Sequence, residues 1–84
     1  MKVEEQVMGN VNKEIDVREI PPQDKHSKIF KAIEALQSEE TLEIINDHDP
    51  KPLYYQLTAE FPNIYEWTYL EEGPRVWRVA IRKK

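Results

Sequence analysis

His26 and His48 are the side chains of this chain best placed to change charge or bind a ligand near neutral pH. Asp47 adjoins His48, and Arg18, Lys25, Asp49 and Lys51 lie close by in sequence. Two imidazoles and a carboxylate make an N/O donor set suited to zinc, iron or another divalent ion. His26, His48 and Asp47 are the candidate metal ligands on that ground. No His-x-x-His or His-Glu-x-x-His spacing accompanies them, so the metal depends on convergence in space. A second use is an anion or small polar ligand, with Arg18, His26, Asp47, His48 and Tyr55 as candidate contacts. The same residues also have plain structural uses. His26 would sit in the first turn of a helix, His48 would bond a backbone carbonyl, and Asp49 would cap a helix.

A histidine beside carboxylates could act as a general base. No nucleophile accompanies it: Ser27 and Ser38 stand without a motif, and there is no cysteine. The missing thiol excludes disulfides, persulfide carriage and zinc–thiolate sites. A non-enzymatic ligand- or partner-binding accessory module is the expected role. A metal-dependent enzyme or redox accessory, with the metal near His26 and His48, is the alternative. The cofactor is otherwise open.

The elements that must hold these residues follow from hydrophobic period. Residues 1–12 are polar and without sustained periodicity, which reads as a loose tail before one domain over 13–84. Ile15 and Val17 alternate with Asp16 in a half-buried strand over Lys13 to Arg18, stopped by Pro21-Pro22. Asp24 offers an N-cap to a helix of about three to four turns carrying Ile29, Phe30, Ile33 and Leu36. Leu42, Ile44 and Ile45 mark a second strand over Thr41 to Asp47. Asp49 and Pro50 then read as N-cap and first residue of a second helix, bearing Leu53, Leu57 and Phe61 and ended by Pro62.

Two alternating runs, Ile64 to Leu70 and Arg75 to Lys83, flank Glu71-Glu72-Gly73-Pro74 as a hairpin. Trp67 is expected near Val79 and Tyr69 near Trp77, with Glu66 beside Arg78 and Arg82 on the outer face. The order is β-α-β-α-β-β. It specifies an α+β two-layer sandwich, a four-stranded mixed sheet with two helices on one face. The right-handed β-α-β unit makes the first two strands parallel. Both strand-to-helix loops then open at one edge, where open sheets favour ligands.

The chain of 84 residues carries a net charge of −4. Its basic cluster, Arg75, Arg78, Arg82, Lys83 and Lys84, alternates on a strand or ends the chain, which fits a solvated face better than a nucleic-acid surface. No apolar run approaches a membrane span, and the first residues lack a signal-peptide core. A cytoplasmic location is expected.

Several segments together resemble an uncharacterised bacterial family, domain of unknown function 2249. They are Asp16-Val17-Arg18, Pro21-Pro22, His26 with Ile29-Phe30, Asn46-Asp47-His48-Asp49-Pro50, Glu66-Trp67 and Gly73-Pro74-Arg75-Val76-Trp77. The resemblance covers about residues 14 to 82. That family is similar to the TusA/SirA-like group, which shares the β-α-β-α-β-β plan of the C-terminal domain of translation initiation factor three. The sulfur carriers open their first helix with Cys-Pro, where this chain has Pro21-Pro22. The resemblance therefore implies the fold without sulfur transfer. It also implies a setting beside hemerythrin-like or cupin domains, in metal, oxygen or nitric-oxide metabolism.

Overall fold

The structure, a computed structural model, describes residues 11–84. Its elements are β1 (Val11–Asp16), α1 (Pro22–Glu34), β2 (Thr41–Asn46), α2 (Lys51–Glu60), β3 (Tyr65–Glu72) and β4 (Trp77–Lys83). The architecture is α+β, with one four-stranded mixed sheet in the order β1-β2-β4-β3. β1 pairs parallel with β2, β2 antiparallel with β4, and β3 antiparallel with β4. β1 starts at Val11, two residues before the alternation of Ile15 and Val17 would place it. Most of the expected tail, residues 1–10, lies outside the described residues.

Alternation decides which residues become core. Leu42 and Ile44 of β2, and Val79 and Ile81 of β4, join Ile29, Phe30 and Ile33 of α1 and Leu57 of α2 in one buried cluster. Both helices thus cover one face of the sheet. All six residues of β2 are buried, as expected for a strand flanked on both edges. On its outer side Glu43 is only 8% exposed, and Arg78 Nη1 donates to its Oε2 at 2.6 Å. Such a carboxylate stays buried because its partner is held across the strand pair.

Three expectations need correction. Asp24 is not the cap of α1. Pro21 occupies that place without a side-chain bond, and Asp24 lies in the first turn, where a negative charge still suits the helix dipole. Asp49 does not cap α2 either. Pro50 is the N-cap rather than the first helical residue, again with no side-chain bond. Asp49 instead accepts a 2.8 Å bond from the Tyr69 hydroxyl, which removes its oxygen from the helix start.

The hairpin register is the third. Trp67 faces Ile81 and Tyr69 faces Val79, two residues along from the expected pairs. The strand runs on through Glu71 and Glu72, with an irregularity between Tyr69 and Glu71. The turn therefore begins only at Gly73, whose amide donates to the Val76 carbonyl at 2.8 Å. Gly73 has φ +62°, and a Cβ there would meet the Trp77 ring at 2.7 Å. Because the shift is two residues, side chains keep their faces. Arg82 still reaches Glu66 at 3.1 Å, while Arg78 turns to Glu71 and Glu43.

Candidate functional site

The two strand-to-helix connections open at the same edge, as the parallel β1–β2 pair requires. Between the starts of α1 and α2 lies a groove of about 240 Å³. Ile29, Phe30, Ile44 and Leu53 line its apolar part together with Pro22, Pro50 and Pro52. Lys25, His26, Asn46, His48 and Gln56 supply its polar atoms. Apolar walls with a few placed polar groups are the usual form of a small-ligand site.

Of the expected contacts, His26 and His48 both line this groove. His26 lies almost flat on Phe30, with ring centroids 4.5 Å apart and planes inclined by 29°. Its Nε2 is 3.0 Å from Gln56 Oε1, and Gln56 Nε2 donates to Glu60 Oε2 at 3.0 Å. An amide oxygen only accepts, so His26 Nε2 carries the proton and Nδ1 is the free acceptor of the neutral ring. His48 Nδ1 is 2.7 Å from Asp47 Oδ1, and this bond holds the Asp47 carboxyl below its ordinary range.

The remaining expected contacts are elsewhere. Arg18 bonds Asp16 through Nε at 2.9 Å and Nη2 at 2.6 Å, and it does not line the groove. Asp47 is exposed and serves His48 from outside the lining. Tyr55 is 60% exposed on the other side of α2, in a shallow depression with Lys51, Tyr54, Trp67 and Tyr69. Helical spacing places Tyr55 about 100° from Gln56, so only one of the two can face α1. The metal set is not assembled as expected. His26 is engaged by Gln56 and His48 by Asp47, and among the described residues no three His, Asp, Glu or Cys side chains converge.

The helix starts also offer an anion less than their number suggests. Pro22 and Pro52 carry no N–H. The amides of Asp24 and Lys25 donate to the Pro21 carbonyl, and those of Leu53 and Tyr54 to the Pro50 carbonyl.

The family model described as "Uncharacterized conserved protein (DUF2249)" matches residues 14–83. The chain belongs to the DUF2249 family. Neither the curated proteins nor the solved structures give a match. In this DUF2249 domain the matched segment runs from within β1 to the end of β4 and contains the whole groove.

Asn46, Gln56 and Phe30 line the groove of this DUF2249 domain without being side chains whose type alone points to chemistry. Asn46 is 5% exposed and ends β2 on the same face as Leu42 and Ile44. A polar residue on the inward parity of an apolar strand was the available signal. Its Oδ1 accepts from the Asp47 amide at 2.9 Å, which fixes the side-chain amide and leaves Nδ2 as a donor. Gln56 carried no such signal, because a glutamine on a helix is ordinary.

No helix among the described residues is long and apolar enough to cross a membrane.

Proposed function

We propose that this domain is a non-enzymatic binding module that takes a small ligand in the groove between α1 and α2. The observation that carries this reading is the convergence of His26, His48 and Asn46 on one largely apolar cleft at the carboxyl ends of parallel strands. At about 240 Å³ the cleft suits a molecule smaller than the ~300–1,000 Å³ usual for drug-sized ligands. Absence of cysteine supports holding a ligand rather than transferring sulfur. A divalent metal near His26 and His48 has less support, since each imidazole already has a different partner. A cytoplasmic accessory role beside hemerythrin-like or cupin proteins fits this reading, with the groove as the ligand-holding part.

Phenol and cyclohexanone are suitable probes. Followed through backbone amide signals, they are expected to shift Lys25 to Phe30, Asn46 to His48 and Leu53 to Gln56, and to leave Arg78 to Lys83 unmoved. Leu53→Trp, which fills the cleft, is expected to abolish the shifts. Shifts confined to Tyr54, Trp67 and Tyr69 would place binding on the opposite side of α2 and overturn the proposal.

A further inference from the structure

The groove's free hydrogen-bonding groups differ from what its histidines suggest. Lys25 lies near Asp47, whose carboxyl it helps keep ionised. His26 Nε2 is bonded to Gln56 and His48 Nδ1 to Asp47. Glu60 holds Gln56 from behind. Positive and negative groups thus balance around the rim, and an anion gains little there. Prolines have removed amides from both helix starts, which weakens anion capture further.

Asn46 is different. It is more than nine-tenths buried, it lines the groove, and its Nδ2 has no hydrogen-bond partner among the described residues. Its orientation is not free, because Oδ1 is engaged by the Asp47 amide. Among the described residues the fully enclosed side-chain atoms without a partner are Thr41 Oγ1 and Trp67 Nε1, so Asn46 Nδ2 keeps access to the groove, where a ligand oxygen can replace water as its acceptor. Beside it, Phe30 and the imidazole stacked on it present a flat apolar wall.

We infer that the groove selects a neutral ligand with a planar apolar body and a carbonyl-type oxygen, and that Asn46 Nδ2 reads that oxygen. This rests on the groove being the binding site, as proposed above. Cations are disfavoured because the Asn46 N–H donor would face positive charge. Anions gain little because Asp47 and Glu60 offset Lys25 and the prolines have taken amides from both helix starts.

Benzamide, benzoate and benzylamine share one ring and differ in charge. Titrated at neutral pH into isotope-labelled protein, benzamide is expected to bind several-fold tighter than the other two. It is also expected to shift the Asn46 side-chain amide pair. Asn46→Asp keeps the acceptor for the Asp47 amide and replaces the donor with a carboxylate oxygen. It is expected to weaken benzamide roughly three- to tenfold and to improve benzylamine. The Asn46 side-chain signals of the unaltered protein decide the matter even if that variant does not fold. Preference for benzoate, or an unmoved Asn46 side chain while groove amides shift, would overturn this inference and leave the binding site standing. No groove shift with any of the three would remove both.

Discussion

Arg18 encloses the Asp16 carboxylate with its own backbone amide, Nε and Nη2. These bonds favour the ionised form and hold the Asp16 carboxyl down to about 2. A depressed carboxylate contributes stability that is present above its unfolded value and lost as pH falls through the folded one. For Asp16 that window runs downward from 3.8 to about 2. Carboxyl-carbon NMR should show Asp16 titrating near the lower figure, and Arg18→Ala should move it back toward the upper one. An unmoved midpoint would mean that the bonds do not persist in solution. The pairing also explains why Arg18, attractive in the sequence as an anion contact, serves the strand end. Asp16 lies two residues away on the same face, and local pairs form before distant ligands can compete.

At the scale of elements, α2 is fastened to the sheet by the bond from the Tyr69 hydroxyl to Asp49. Pro50, the buried N-cap, follows directly, so this bond sets where one wall of the groove begins. Burial, then the adjoining Asp49 carboxylate, pushes the Tyr69 hydroxyl above its ordinary 10.0. A raised folded value contributes stability that is complete below the unfolded value and is lost as pH rises through the folded one. Tyr69→Phe should lower stability by about 1–2 kcal/mol at neutral pH through the lost charged-acceptor bond. It should also flatten the alkaline fall in stability above pH 10, as urea unfolding at several pH values would show. The register of β3 belongs at this scale too. Alternation assigned Trp67 and Tyr69 to the correct face, but the pairing depended on where the turn closed. Glu71 and Glu72 are poor strand formers, and they extend because β4 supplies hydrogen-bonding partners for them.

For the whole molecule, one cluster holds both helices on the sheet. Ile33 has no exposed surface and sits at its centre with Ile44, Val79 and Ile81. Ile33→Ala should cost about 3 kcal/mol, a large share of the ~5–15 kcal/mol available to such a domain. Urea denaturation should show a lower midpoint with little change in slope, and a loss under about 1 kcal/mol would mean that the core closes around the gap. Losing that core would also lose the groove, because Ile29, Phe30 and Ile44 have side chains in both.

Element order, the two helices, the shared face of the apolar residues and the edge where the two loops open were all readable from spacing. Hydrophobic period and proline act locally, and a parallel β-α-β unit has one handedness. The contents of the groove were not readable in that way. Which of Tyr55 and Gln56 faces α1 depends on how α2 rolls on the sheet. Whether His26, His48 and Asp47 meet depends on partners 30 residues apart, such as Gln56 for His26. The cap of α2 went to Pro50 while Asp49 bonds Tyr69, 20 residues further on. Asn46 became a donor lining the groove only when α1 and α2 closed over the end of β2. Side-chain hydrogen bonds are assigned by competition among all the groups that folding brings within reach, and that competition is settled in three dimensions.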